Sequence, residues 1–303
     1  RIESGAAPDE SKILLAAAED AARGRLDPFL AEKGRFVLLS NRETSLLFAR
    51  RNGALQLDGI YRAGQSFLDP AETDRALWRA WFRGGDRRKW AVAGSGRGGE
   101  ADCALEPGDP ARIICTWRGI PTALSTVRAQ AAVSLGRGDA CSRWRLEIEP
   151  EDEGMGLWAF EFPLVSGVAP DARVDATDFL VFPYKTGARM PRPGAAGLWD
   201  GLYPGAAGWA FLPYAQGGRG LYVGAHDPGA SVKDVHTMPC GPGQVELRFA
   251  HRVPGMGLPG NGHRMAYDCL VGTYDGNWYD AAQIYRGWLT RQDWFPEKPL
   301  ATN

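Results

Sequence analysis

The chain has 303 residues, of which 44% are hydrophobic, and its formal net charge is −1. This length allows one large all-β domain or two smaller domains, with enough apolar residues for a substantial core. A chain with a net charge near zero does not show the excess of basic residues that is typical of proteins that bind nucleic acid or an anionic membrane. No run reaches the ~20 apolar residues that a membrane span needs. Neither nucleic acid nor a membrane is therefore an expected partner.

The N-terminus says little about cellular location. The first residues, RIESGAAPDE, lack the basic and then apolar order of a signal peptide. Because the chain begins at Arg1 and not at a methionine, we expect upstream sequence in the natural protein. A secreted or periplasmic location stays open.

Residues 1–34 are predicted to form a helical segment. Alanine and leucine recur at three- and four-residue spacing between Asp9 and Arg25, and alanine is the best helix former. Asp27 and Pro28 then provide an N-cap and a first-turn proline for a short second helical turn that ends at Gly34.

Residues 35–274 are predicted to form one antiparallel β domain. The hydrophobic period changes to two, as in CSRWRLEIE, where Trp144, Leu146 and Ile148 alternate with charged residues. A strand with one apolar and one polar face is typical of an antiparallel sheet that is covered on one side. We count about fifteen candidate strands separated by Gly- and Pro-containing turns, which favours two large stacked sheets.

Two details of this region carry further expectations. Asn52 and Gly53 form the dipeptide that closes tight hairpins, so we expect a turn there. The stretch from Ala71 to Phe82 is ambiguous between helix and strand, because its apolar residues fit both periods.

Cys103 and Cys115 lie symmetrically about the turn sequence EPGDP. In a hairpin they face each other, and facing positions bring Cβ atoms to within ~4.5–5.5 Å. The sequence allows either a disulfide or two buried thiols. None of the five cysteines has CxxC spacing, which argues against structural zinc.

Residues 275–303 are predicted to form a second helix and a linker. Asn277 is a suitable N-cap, and an apolar stripe follows at helical spacing: Trp278, Ala281, Ala282, Tyr285, Trp288 and Leu289. Three large aromatics on one face need a large partner surface, and an exposed stripe predicts self-association. The tail WFPEKPLATN is extended, and we expect the chain to be a fragment of a longer protein.

The stretch from Gly197 to Asp234 is the candidate ligand site. It holds four aromatic residues, a carboxylate at Asp200, and then His226 and Asp227, among glycines and prolines that force turns. Aromatic faces cover the apolar C–H surface of a pyranose, while carboxylates and imidazoles bind its hydroxyls. The alternative is that these aromatics form the core and rim of the sandwich.

Six sequence motifs resemble the N-terminal β-sandwich domain of an uncharacterised family of bacterial glycoside-hydrolase-like proteins. They are NRETSLLFARRNGAL (41–55), WRLEIE (144–149), FEFPLV (160–165), LYPG (202–205), GLYVGAHDPGASVK (220–233) and GNWYDAAQIYRGW (276–288). This domain is similar in architecture to galactose mutarotase, a supersandwich, and in the family a TIM barrel follows it. The resemblance implies an all-β fold, a large antiparallel two-sheet supersandwich with a flanking helix at each end.

The resemblance also implies a role. In such proteins the sandwich shapes the sugar site of an oligo- or polysaccharide hydrolase, and it packs on the barrel, here through the Trp278–Trp288 helix. On that basis Trp199 would stack on a sugar ring, Asp200 would accept from hydroxyls and Tyr203 could do either. His226 and Asp227 are second choices. No catalytic residue is expected within this chain, because the acid and nucleophile carboxylates would lie in the barrel.

Three other functions stay open from the residues alone. A stand-alone mutarotase-like aldose epimerase needs a general acid and a general base, and His226 and His236 with Asp227 or Glu246 could serve. A second is a simple carbohydrate-binding protein. A third is a metal site made by His226, Asp227, Asp234 and His236. No spacing supports that metal site, and Asp227 before Pro228 better fits a polar turn closed by a side-chain to backbone bond. No cofactor is expected.

Overall fold

A computed structural model describes residues 9–24, 27–51, 54–69, 75–86, 88–168 and 178–296. Within these ranges the chain is almost wholly β, with helix α1 at Glu10–Arg23 and helix α2 at Trp278–Leu289. The strands, in chain order, are β1 Phe29–Lys33, β2 Phe36–Ser40, β3 Ser45–Arg51, β4 Ala54–Arg62, β5 Gln65–Ser66, β6 Arg79–Gly84, β7 Trp90–Gly94, β8 Glu100–Glu106, β9 Ala111–Pro121, β10 Thr126–Leu135, β11 Cys141–Pro150, β12 Met155–Val168, β13 Phe179–Phe182, β14 Ala188–Pro191, β15 Trp199–Tyr203, β16 Phe211–Gln216, β17 Arg219–His226, β18 Lys233–Gly241, β19 Gln244–Arg252, β20 His263–Arg264 and β21 Asp268–Asp275.

The strands form three antiparallel sheets. A five-stranded sheet runs in the order β1-β2-β3-β4-β5, and a six-stranded sheet runs β15-β18-β19-β12-β6-β7. A ten-stranded sheet runs β14-β13-β16-β17-β21-β11-β10-β9-β8, with β20 paired to β11. The predicted all-β, antiparallel sandwich is therefore confirmed, and the five-stranded sheet is an addition to the two large sheets that the sequence predicts.

One continuous core lies among the three sheets. The alternating residues Trp144, Leu146 and Ile148 of β11 are each at most 2% exposed, and the same core contains Phe160 and Phe162 of β12. Burial of so much aromatic and aliphatic surface, at roughly 25 cal/mol per Å², is the main force that holds the sheets together.

Helix α1 packs on the side of the five-stranded sheet that faces away from the core. Asp9 caps the helix by accepting from the backbone N–H of Ser11 at 3.1 Å. Leu14 and Ala18 then pack against Phe36 and Leu38 of β2.

The second predicted helical turn, over 27–34, is wrong, because residues Phe29–Lys33 form strand β1. Each residue of β1 pairs with β2, from Phe29 opposite Ser40 to Lys33 opposite Phe36. The capping signal of Asp27 and Pro28 is local, whereas a complete ladder of backbone hydrogen bonds to β2 decides the outcome.

Other predicted elements have mixed outcomes. The Asn52–Gly53 turn lies outside the described residues, although β3 and β4 on either side of it pair antiparallel. The ambiguous 71–82 stretch contains no helix in its described part, 75–82, where β6 begins at Arg79. Cys103 and Cys115 face each other across β8 and β9, 4.2 Å apart at Cα, and form a disulfide.

Helix α2 begins as predicted. Asn277 accepts from the N–H of Tyr279, and Asp280 accepts from the N–H of Asn277, which completes a capping box.

Part of the apolar stripe of α2 packs on this chain itself. Ala281 and Tyr285 pack on the outer side of the ten-stranded sheet, against Phe211 and Tyr222. The stripe is thus largely covered by this chain itself, and of its aromatics Trp278 stays 44% exposed. It is not the fully exposed face on which the prediction of self-association rests, whereas the predicted barrel contact stays a prediction. Among the described residues, neither helix has the length and hydropathy needed to span a bilayer.

Candidate functional site

The predicted site residues lie in three places. Trp199, Asp200 and Tyr203 are on β15, an edge strand of the six-stranded sheet. His226 ends β17 in the ten-stranded sheet, and Asp227 opens the loop that leads to β18.

Side chains alternate between the two faces of a strand. Trp199 and Tyr203 therefore share one face of β15, and Asp200 lies on the other. Trp199 is half-buried: its indole N–H donates to the Ala196 carbonyl at 3.1 Å, and its ring packs 5.7 Å from that of Phe182. Asp200 is exposed on the outer face, directly opposite His236 of β18. Trp199 thus borders the core and Asp200 is open to solvent, and their role as sugar contacts stays a prediction.

His226 is buried under α2. Its Nε2 lies 2.8 Å from the hydroxyl of Tyr222, and its ring lies 4.8 Å from the ring of Trp288. Burial, with smaller effects of Arg291 and Arg143, lowers the pKa of His226 to about 3. The imidazole is therefore neutral near pH 7 and contributes to the docking of α2.

Asp227 closes a polar turn, as the sequence favours. Its carboxylate accepts from the N–H of Gly229 at 2.9 Å and of Ser231 at 2.7 Å, and from Nζ of Lys233 at 2.8 Å. Burial alone would raise the pKa of Asp227. The Lys233 hydrogen bond and charge, with the Ser231 hydrogen bonds, lower that pKa overall. The carboxylate is ionised near neutral pH.

Lys233 is a functional candidate that the sequence analysis missed. It is 0% exposed, and its ammonium also donates to the Ser231 carbonyl at 2.5 Å. The rings of Tyr203 and Tyr267 lie 5.0 and 5.2 Å from Nζ, within cation–π range. Tyr203 also contributes, after burial, to the raised pKa of Tyr285, so its hydroxyl lies near α2.

A signal for Lys233 was present in the sequence. Lys233, Val235 and Thr237 are alternate residues of β18, so their side chains point to the same, inner face of the sheet. Val235 and Thr237 are both 0% exposed. A charged residue at an inward strand position indicates a buried ion pair, because an unpaired buried charge is too costly.

A cavity of about 650 Å³ opens beside Asp227, and we call it the Asp227 pocket. Six of the residues that line it are Asp227, Val232, His251, Met256, His263 and Tyr267. Trp199, Asp200, Tyr203 and His226 are not among its lining residues. Of the five predicted residues, only Asp227 reaches this pocket.

His251 and Tyr267 form an oriented pair in the wall of the pocket. The pKa of His251 is lowered to about 3, first by burial, so its ring is neutral near pH 7. Its Nε2 lies 2.6 Å from the Phe162 carbonyl, which can only accept, so Nε2 carries the hydrogen. Nδ1 is then an acceptor, and it receives the O–H of Tyr267 at 2.6 Å.

A second polar region, which we call the charged face, lies on the outer side of the six-stranded sheet. It consists of Arg79, Glu161, Glu246, Arg248 and His236. Arg79 donates to Glu161 at 2.8 Å, Arg248 Nε lies 2.9 Å from Glu161, and Arg248 also pairs with Glu246. Burial, partly opposed by Arg248 and Arg79, raises the pKa of Glu161.

The residues predicted for an epimerase site or a metal site do not lie together in the fold. His236 and Glu246 are on the charged face, whereas Asp227 contacts Lys233 on the inward side and His226 lies under α2. Asp234 is ion-paired with Arg252 at 3.0 Å. Within the described ranges, no group of three or more His, Cys, Asp or Glu side chains is placed to hold a metal ion.

Comparisons with known proteins place these features in context. No protein-family model matches the chain. A Bacteroides thetaiotaomicron protein described as "Putative glycoside hydrolase" is 26% identical over 283 residues, which are 89% of this chain and 40% of that protein. The chain thus spans about two fifths of this curated relative.

Solved glycosidases share the fold at low identity. The GH36 α-galactosidase AgaB of Geobacillus stearothermophilus superposes with a TM-score of 0.56 at 9% identity, over 87% of this chain and 43% of that enzyme. The Lactobacillus brevis α-galactosidase gives 0.53 at 8% identity, over 84% and 42% of the two chains. The α-N-acetylgalactosaminidase NagBb of Bifidobacterium bifidum gives 0.52 at 14%, over 86% and 38%.

These similarities confirm the resemblance noted from the sequence motifs. The chain has the fold of a β-sandwich region in GH36 glycosidases, and it is similar in sequence to part of a glycoside-hydrolase relative.

Proposed function

We propose that this chain is a carbohydrate-associated sandwich domain that supports glycoside hydrolysis and is not catalytic alone. The observation that carries the proposal is the state of Asp227. Glycosidases use two carboxylates about 5–9.5 Å apart, one of them free to attack or to activate water. Among the described residues, Asp227 is the one carboxylate that lines the Asp227 pocket, and it is engaged by Lys233 and two backbone N–H groups.

The charged face offers no free pair either. Glu161 and Glu246 both bind Arg248, and Glu246 also accepts from Ser166 Oγ at 2.6 Å. A carboxylate that is ion-paired with arginine is a poor nucleophile for an anomeric carbon, because its oxygens are already engaged by the cation. The proposal therefore assigns the catalytic carboxylates to a separate domain of the natural protein.

The sugar contacts that we propose are Trp199, Asp200 and Tyr203. Asp200 is exposed, and Trp199 and Tyr203 are half-buried, so each retains surface for a ligand. His226 and Asp227 are buried, and they would act by holding α2 and the Asp227 loop in place. We further propose the division into 1–34, 35–274 and 275–303, with a following barrel that contacts the exposed aromatics Trp278 and Tyr279 of α2.

The test is an assay of glycosidase and aldose-epimerase activity on a panel of sugars. The 303-residue chain is compared with the full-length gene product. We expect hydrolysis by the full-length protein and none by the 303 residues. Turnover by the 303 residues alone would refute the supporting role, and His236→Ala and Glu246→Ala would then locate the reacting groups.

A matched pair of variants in the full-length protein tests the sugar contacts. Asp200→Asn keeps the shape of an exposed side chain and removes its charge, so we expect a raised KM for the sugar. Asp139→Asn, in an ion pair with Arg143 in another part of the fold, is the control and should leave KM unchanged. Equal kinetics in both variants would remove Asp200 from the proposed contacts.

A further inference from the structure

We infer that the Asp227 pocket binds one ring of a neutral sugar, in a site separate from the proposed Trp199–Asp200–Tyr203 contacts. The choice of a sugar as ligand rests on the proposed function. The site itself rests on the size, polarity and charge of the pocket.

The size and mouth of the pocket suit a single ring. Ligand cavities in proteins typically measure about 300–1,000 Å³, and this one measures about 650 Å³. Val232 and Met256 at its mouth are 44% and 39% exposed. Apolar side chains held open to solvent at a cavity mouth can cover the C–H face of a pyranose.

Tyr267 gives the pocket a directed acceptor. Burial raises the pKa of Tyr267, so its phenol stays protonated near neutral pH. Its single hydrogen is donated to Nδ1 of His251, whose tautomer is set by the Phe162 carbonyl. The Tyr267 oxygen can therefore only accept from a ligand, which selects a donor such as a sugar hydroxyl.

His263 supplies the complementary groups. It is half-buried against the ring of Phe160, at 5.6 Å between centroids, and burial lowers its pKa, so it is neutral near pH 7. Its nitrogens have no hydrogen bond to any other described residue. A neutral imidazole offers one donor and one acceptor, so it can donate to a sugar hydroxyl oxygen or accept from a sugar hydroxyl hydrogen.

The charges around the pocket cancel in pairs. The carboxylate of Asp227 is matched by Lys233, and Arg252, also in the lining, is matched by Asp234. Among the described residues that line the cavity, no cation lacks a carboxylate partner and would favour a phosphate or carboxylate ligand. This balance favours a neutral sugar over a sugar acid or a sugar phosphate.

The experiment is a titration of the 303-residue chain followed by the imidazole NMR signals. The chain has four histidines, so the His263 signal can be assigned from a single variant. The probes are galactose, glucose and N-acetylgalactosamine, with galacturonate as the acidic comparison. We expect a saturable shift of the His263 signal with at least one neutral sugar and at least tenfold weaker binding of galacturonate.

Three variants locate the binding. Val232→Trp fills the mouth at an exposed position and should abolish the shift, whereas Leu198→Trp, 64% exposed elsewhere, should not. His263→Phe keeps the contact with Phe160 and removes both nitrogens, and its binding is followed by the signal of His251, which also lines the pocket. Tyr267→Phe removes the acceptor, and Tyr184→Phe, at an exposed tyrosine, is its control. We expect each of the two pocket variants to weaken binding about three- to tenfold, the size of one net hydrogen bond.

The inference fails if no neutral sugar shifts the His263 signal, if galacturonate binds as tightly, or if Val232→Trp binds like the unaltered chain. Failure of this inference leaves the proposed function intact, provided that hydrolysis still requires the full-length protein. Hydrolysis by the 303 residues alone refutes the proposed function whatever this pocket binds.

Discussion

The Asp227 loop and the charged face contain buried charge in different arrangements. At the loop, one cation at 0% exposure has one carboxylate partner, in Lys233 and Asp227. On the charged face, Arg79 and Arg248 alternate with Glu161 and Glu246, so each inner member has two partners of opposite sign.

The difference shows how far each region tolerates the loss of one group. Removing one partner of a buried pair leaves an uncompensated charge, which costs far more than the pair itself contributes. In an alternating network the remaining partner still compensates. The loop is therefore a fragile support for the Asp227 pocket, and the charged face is a redundant one.

The largest effect expected from this comparison is that of Asp227→Ala. It leaves the buried Lys233 ammonium with no carboxylate partner and with the Ser231 carbonyl as its remaining hydrogen-bond acceptor, and it frees two backbone N–H groups, so we expect a loss of about 3–5 kcal/mol in the free energy of unfolding. Denaturant unfolding measures it. Asp234→Ala is the matched control, because Asp234 is next to Lys233 in sequence but pairs with the half-exposed Arg252, and should cost at most about 1 kcal/mol.

The double variant Asp227→Ala/Lys233→Met sharpens the result. Replacing both charges by apolar groups removes the uncompensated cation, so we expect this variant to be more stable than Asp227→Ala alone. Equal losses for Asp227→Ala and Asp234→Ala would contradict the claim that the two ion pairs differ.

Much of the fold could be predicted because its signals are local. Period-two alternation identified β11, whose Trp144, Leu146 and Ile148 are buried as expected. The N-cap of α2 at Asn277 was equally readable. The error at β1 has the opposite cause: Asp27 and Pro28 carry a helix-start signal, but pairing with β2 is a tertiary contact that no local pattern contains.

The site was less predictable for the same reason. The Asp227 turn was foreseen from Asp before Pro, since its bonds to Gly229 and Ser231 are local. The meeting of Lys233, Tyr267 and His251 depends on the registers of β18, β19 and the segment before β21. The sequence of α2 likewise shows an apolar stripe, but it does not show whether that stripe packs on this chain or on another domain.

The Asp227 loop and the charged face are also expected to differ in how they make the free energy of unfolding depend on pH. His251 lies beside Lys233 with its pKa lowered to about 3, whereas an unfolded histidine titrates near ~6.5. As pH falls below ~6.5, the histidine of the unfolded state binds a proton before the folded-state His251 does. The stability that neutral His251 contributes is therefore fully present above ~6.5 and is lost as the pH falls towards 3. Between pH 7 and 5 the loss from His251 is about 2 kcal/mol. His226, with a similar pKa, adds a comparable amount.

The measurement is the free energy of unfolding as a function of pH for His251→Gln and His236→Gln. We expect His251→Gln to flatten the slope between pH 7 and 5 by about 2 kcal/mol in total, whatever its stability at pH 7. On the charged face, burial and Arg248 lower the pKa of His236, and Asp234, Asp200 and Glu246 partly oppose that effect. His236→Gln should therefore keep most of the slope, and an unchanged slope in His251→Gln would show that His251 is not held neutral.

The smallest effect tests the redundancy of the charged face itself. Glu246→Gln and Glu161→Gln each leave Arg248, whose side chain is 12% exposed, with one carboxylate, so each should cost only about 1 kcal/mol. Together they leave Arg248 with none, and we expect the double variant to exceed the sum of the single losses by about 1 kcal/mol. Denaturant unfolding of the four proteins in this cycle gives the coupling directly. A purely additive result would mean that Arg248 does not depend on having either carboxylate, and the charged face would then be no more redundant than an ordinary surface ion pair.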